Sequence, residues 1–210
     1  AWTCLRSTIL KPLEYPLPVT CLSKQQCTKI LVPVLETALP GVGISRHFLR
    51  QYIHAPPECF GTDITSLYTY QGAAHIDMLV THWGESSTTS DLLHSSLECL
   101  QIEVGLSGNP LNRGYSIWKE SITPCWLSTT WEFMSTYNIK IDLVLKDIPL
   151  RRTKDLYLME QFITAGATKY ELRILNRCRL YLKVITLADI CDAGGSNVTS
   201  QAWKGDATIE

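Results

Sequence analysis

The sequence predicts a mainly α-helical, bundle-like protein with at most a few short strands, one of them near residues 139–146. Three features carry that expectation. Capping signatures at Ser23/Gln26 and Thr168/Glu171 each open a run with apolar residues three and four apart, the spacing of one helix face. Gly, Pro and Asn close most such runs, at Pro40–Gly43, Gly105, Asn138 and Gly166. Only Ile139–Lys146 alternates apolar and polar residues with period two, the mark of a half-buried strand.

In chain order, Pro12, Pro16 and Pro18 make extended segments the expectation for residues 1–22. Ser23 opens a helix to about Leu39, bent at Pro33. Residues 46–54 fit a short helix or a strand equally well. A helix spans about Thr62 to Trp83, and Ser90 caps another from Asp91 to Val104. The Gly- and Asn-rich run 105–116 is the best internal boundary. It divides a helical part, 1–104, from a second helical part, 117–195, which a polar tail, 196–210, follows. Thr123 with Pro124 starts a helix ending near Asn138, and another runs from about Lys154 to Ala165.

The last helix is the anchor of the reading. From Thr168 onward, Ile174, Leu175, Cys178, Tyr181, Leu182 and Ile185 share one arc, expected to face the core. Lys169, Arg173, Arg177, Arg179 and Lys183 take the other side and are expected to face solvent. After Lys183 the chain is apolar nearly all round, so it should be buried or turn into a strand.

An apolar fraction of 45% with 19% charged residues suits a globular protein able to bury a core. The net charge of −1 is unevenly spread: residues 140–183 hold ten Lys/Arg against five Asp/Glu, which leaves nine against fifteen elsewhere. That basic stretch is the candidate surface for a polyanion. Eight cysteines without dense spacing or a signal peptide read as reduced thiols, hence an intracellular chain of cytoplasm or nucleus. No apolar run reaches the length of a membrane span, so no membrane partner is expected. The start at Ala1, without cap or turn, reads as a cut from something longer.

Motifs for chemistry are sparse. There is no phosphate-binding glycine loop, no CxxC and no HExxH, so no cofactor, metal or catalytic residue is expected. Gly105–Gly108 falls one residue short of a nucleophile elbow. The pairs His47/His54 and His75/His82 are too few ligands for zinc, and Asp142 with Asp147 lacks a third acid for two-metal chemistry. Asp189 and Asp192 suit a turn, and Asn197–Thr199 matches a glycosylation pattern by chance. What remains is cationic: Arg151, Arg152, Lys154, Lys169, Arg173, Arg177 and Lys183, residues able to contact phosphates without reading sequence.

Several stretches, taken in order, carry a resemblance: YPLP at 15–18, LSKQQC at 22–27, GISRHFLR at 43–50, LYTYQGAAHIDML at 67–79, GLSGNP at 105–110, CWLSTTWEF at 125–133 and LNRCRLYLKVITLADIC at 175–191. With LP at 39–40 and HAP at 54–56, the chain resembles long open reading frames of non-LTR-type retroelements in algae and other eukaryotes. It matches the region between their reverse-transcriptase and RNase H-like domains. Two departures stand out: Thr62 and Asp63 follow Gly61 where the family carries a Gly-Leu-Gly-type stretch, and the YxDD-type polymerase motif is absent. The resemblance implies a helical, non-catalytic thumb or connection segment of an RNA-directed DNA polymerase polyprotein, thumb-like over 1–104. Its implied partners are an RNA/DNA template–primer, held through the seven cations, and the neighbouring polymerase and RNase H-like domains. The alternative is a helical protein–protein interaction or scaffold module with no nucleic-acid role.

Overall fold

The computed structural model describes residues 2–198, so most of the expected polar tail, from 199 onward, and the Thr199 of the glycosylation pattern lie outside the described residues. The chain is mainly α-helical, and no sheet forms among the described residues; the nearest to one are isolated bridges, Tyr157 with Thr186 and Cys191 with Val198. It divides into two compact units, Ala1–Glu85 and Ser86–Glu210.

In the first unit, the proline-bearing N-terminus is helical, not extended: α-turns at Trp2–Cys4 and Lys11–Glu14 flank a π-helical Leu5–Leu10. Pro12 lies at the joint where the π-helical Leu5–Leu10 passes into the α-turn Lys11–Glu14, so the bonding pattern changes there and the run continues through it. Helix α1 (Lys24–Ala38) opens on the expected reciprocal cap: Ser23 N donates to Gln26 Oε1 at 2.8 Å and Gln26 N to Ser23 Oγ at 3.3 Å. It carries Pro33 inside and buries Cys27, Leu31 and Leu35. Gly43 then turns the chain at φ +80°, and Arg50–Ile53 resolves the 46–54 ambiguity as one helical turn.

Helix α2 (Leu67–Trp83) packs on α1. It starts at Ser66, whose Oγ accepts from Thr69 N, four residues later than expected, because Thr62 is held out of the helix by bonds to Ile53 and Arg6. Its buried polar residues grip the preceding segment. Gln71 accepts from Leu22 N and donates to Leu22 O, while His75 Nε2 lies 2.9 Å from Thr20 O.

In the second unit, α3 (Thr88–Val104) is capped by Ser87 and not by Ser90; Ser90 lies in its first turn and donates its backbone N–H to Ser87 Oγ. Gly105 stops it at φ +69°. The run 105–116 lies inside this unit, the division between units falling at residues 85 and 86. Leu106, Pro110 and Leu111 are buried there, and Ser107 and Gly108 are tied to Glu160 and Asp147. Glycines opened the turn, and apolar neighbours packed it.

Helix α4 (Trp126–Tyr137) starts at Cys125, bonded to Ser128 Oγ at 2.8 Å, while Thr123 instead donates to Glu103. Asn138 ends it at φ +53°. The strand expected over 139–146 does not form. Its alternation survives, with Ile139, Ile141, Leu143 and Leu145 half-buried and the residues between them exposed, but no neighbouring strand lies beside it. A side chain supplies one rung: Asn112 donates to Ile141 O at 2.8 Å and accepts from Ile141 N at 3.1 Å. Helix α5 (Leu158–Thr164) begins later than Lys154, since the Asp155 carboxylate collects the amides of Arg151, Leu156 and Ala188 in a turn. Helix α6 (Lys169–Leu182) follows and packs on α5. Beyond it Val184 is buried, and Leu158 and Leu187 pair with Ile185 and Leu156 without forming a strand.

Candidate functional site

Helix α6 is nucleated as its sequence dictates. Thr168 N and Oγ1 donate to Glu171 Oε2 at 2.7 and 2.8 Å, and Glu171 N returns a bond to Thr168 Oγ1. Those donors hold the Glu171 carboxyl below the usual carboxylate range. The helix ends on Lys183, held left-handed at φ +56°, a conformation that costs a non-glycine residue about 1 kcal/mol.

The helix departs from the expectation in part: Lys169, Arg177 and Lys183 are exposed as expected, but the apolar arc is not the buried side. Its buried residues are Leu172, Asn176 and Arg179, whereas Ile174 (43%), Tyr181 (59%) and Cys178 are exposed and Leu175 and Leu182 only half-buried. Arg179, expected in solvent, is 3% exposed. The reason lies at the end of α3, where the last carbonyls have no partner within the helix. Arg179 Nη2 donates to Ile102 O at 2.8 Å and Glu103 O at 2.7 Å, and its Nη1 to Val184 O. Asn176 braces the guanidinium through Oδ1 and adds its own bond to Glu103 O. A positive charge at a helix C-terminus also favours the dipole. Burial lowers the Arg179 pKa to about 10, opposed by the nearby Glu103, so the group is charged at neutral pH. Gly105 makes room: a Cβ there would lie 2.7 Å from Arg179 Cζ.

No family model, curated protein or solved structure matches this chain. The candidate site therefore stands on geometry alone.

Burying Asn176 and Arg179 leaves much of the apolar arc outside. Tyr170 (69% exposed), Ile174, Arg177 and Tyr181 recur at four, three and four residues along the outward side of α6, with Cys178 beside them. Of the seven cations expected to meet phosphate, Lys169, Arg173 and Arg177 share a ridge at successive steps of four, and Lys183 lies at the helix end. Arg173 is already paired with Glu120. Lys169, Arg177 and Lys183 are exposed and form no ion pair among the described residues. The other three belong to the loop before α5. Arg151 Nε lies 2.5 Å from Asp189 Oδ1, Arg152 Nη1 donates to Asp192 O at 2.5 Å, and Lys154 is exposed in a left-handed turn.

His47 and Asp142 are exposed, and the remaining candidates have structural occupations. His75 is buried against backbone carbonyls, His54 Nδ1 lies 2.6 Å from Ile64 O, and His82 pairs with Glu85. Asp147 accepts from Gly108 N, while Asp189 and Asp192 cap turns, as expected of them. Among the described residues, no three His, Cys, Asp or Glu side chains are placed to hold a metal ion. No helix among them is long and apolar enough to cross a membrane. The residues that sequence reasoning missed are Asn176 and Arg179. Hydropathy alone ranks them as surface, and only the approach of the end of α3 makes them core.

Proposed function

We propose that this chain is a non-catalytic helical docking module that presents the outward face of α6 to a protein partner. One observation carries the reading: the helix buries Asn176 and Arg179 and leaves Tyr170, Ile174 and Tyr181 in solvent. Aromatic side chains with an arginine among them are the composition of interface centres, since they bury large area at low entropic cost. The resemblance to the segment between polymerase and RNase H-like domains of retroelements names the class of partner, a neighbouring domain of the same polyprotein. Grip on template–primer phosphates draws less support, because Arg151, Arg152 and Arg173 are already engaged by acids or carbonyls.

The two readings separate in one pair of measurements. A photo-crosslinker placed at Tyr181 should yield a nuclease-resistant adduct that Ile174→Asp abolishes. Retention on an RNA–DNA hybrid should change little with salt. A log–log slope of about −0.7 to −0.9 for each of several phosphates, lost on Arg177→Glu, would transfer the function to nucleic acid.

A further inference from the structure

We infer that the ribbon 139–146 is an interface on which a second copy of this chain pairs, antiparallel and two-fold, centred on Val144. The surface is not the α6 face, and the inference does not depend on the docking reading above.

The ribbon has the marks of a strand except a neighbour. Exposure alternates from Ile139 to Lys146, the period of an extended chain, and no Gly or Pro interrupts it. In such a chain successive residues direct their N–H and C=O groups to opposite edges. Asn112 occupies both groups of Ile141, so it covers the edge served by the odd-numbered residues. The even-numbered residues serve the other edge. There the N–H and C=O groups of Asp142, Val144 and Lys146 form no hydrogen bond among the described residues, and Val144 is 90% exposed. The alternation ends at Asp147, whose carboxylate accepts from Gly108 N. An open edge of this kind is a template for another strand.

Charge selects the occupant and its register. A two-fold pairing centred on Asp142 sets the two aspartates face to face, and one centred on Leu143 sets Lys140 on Lys146. Centring on Ile141 carries Val144 past the ribbon, opposite the left-handed Asn138. Centring on Val144 pairs Asp142 with Lys146 twice, stacks Val144 on its own copy and places Leu143 beside Leu145 on the inner side. Those pairs lie on the edge that Asn112 leaves open, and they satisfy the free backbone groups of both chains.

Sedimentation velocity of the full chain, in reducing buffer because the cysteines are free, should show a reversible monomer–dimer equilibrium. Val144→Pro removes the central donor from both copies and should raise the dissociation constant at least about tenfold. It takes no hydrogen bond from the single chain, and an unchanged urea midpoint verifies folding. Asp142→Lys and Lys146→Asp should each weaken self-association, since each sets like charges opposite one another. Mixed in equal amounts, these two variants should pair with each other, read as a heterodimer by native mass spectrometry. A chain that stays monomeric up to its solubility limit overturns the inference. So does a dimer that survives Val144→Pro, or a mixture of the charge variants that pairs no better than either alone.

Discussion

Replacing Arg179 with methionine removes the guanidinium while keeping most of the side chain's volume. Arg179 is 3% exposed, so water has little access to what it leaves behind. Three acceptors lose every bond Arg179 made to them: the part-buried Ile102 O and the buried Val184 O and Asn176 Oδ1. Glu103 O keeps its bond from Asn176 and should be spared. Each abandoned acceptor costs about 1–3 kcal/mol, and freeing the chain from burying a charge returns part of the sum. The net loss should be about 3 kcal/mol, or a fall of roughly 10 °C in the melting temperature of the second unit. Urea unfolding of the variant checks the magnitude. Hydrogen exchange should show lost protection at the end of α3 before anywhere else. A variant within about 0.5 kcal/mol of the parent would mean the guanidinium is exposed and α6 faces the other way, as hydropathy alone suggests.

Other outcomes follow from the same geometry. Leu172→Ala should cost about 2–4 kcal/mol and Ile174→Ala under about 1, by denaturant midpoint, the opposite order to that expected from the apolar arc. Gly105→Ala should cost about 3 kcal/mol, because φ is +69° and its Cβ would meet Arg179; the loss should shrink in the Arg179→Met background, where that neighbour yields. Burial holds His75 below the ordinary histidine range despite its bonds to Thr20 and Leu17. The unfolded chain therefore binds the extra proton first. Stability of the first unit should be full above about pH 6.5 and fall as pH drops below it, and His75→Gln should flatten that dependence in urea midpoints.

Much of the fold is written locally and was legible. Capping boxes at Ser23 and Thr168, and the stops at Gly105, Asn138 and Gly166, depend on residues within one turn of each other, and all appear as read. Errors of a few residues arose where two caps competed, Ser87 with Ser90 and Cys125 with Thr123. The rival hydroxyl at Thr123 had a distant partner in Glu103. The strand at 139–146 failed for a different reason: alternation describes one chain, but a ladder needs two. The site was the least legible part. On α6 the helix and its cap stand where the sequence puts them, yet its orientation was set by carbonyls 77 and 76 residues away. Nothing in Thr168–Leu182 records that demand.

The single rung that Asn112 provides for Ile141 has a mechanical consequence. From Ile139 to Leu150 the backbone is riveted by side chains, Asn112 at one end and the Tyr157 hydroxyl on Ile148 O at the other, in place of a continuous ladder. Such a ribbon can peel away while the helices around it keep their packing. Among the described residues, Lys140 and Lys146, both exposed, are therefore open to a nick, and the two halves of the second unit should stay clasped together after the cut.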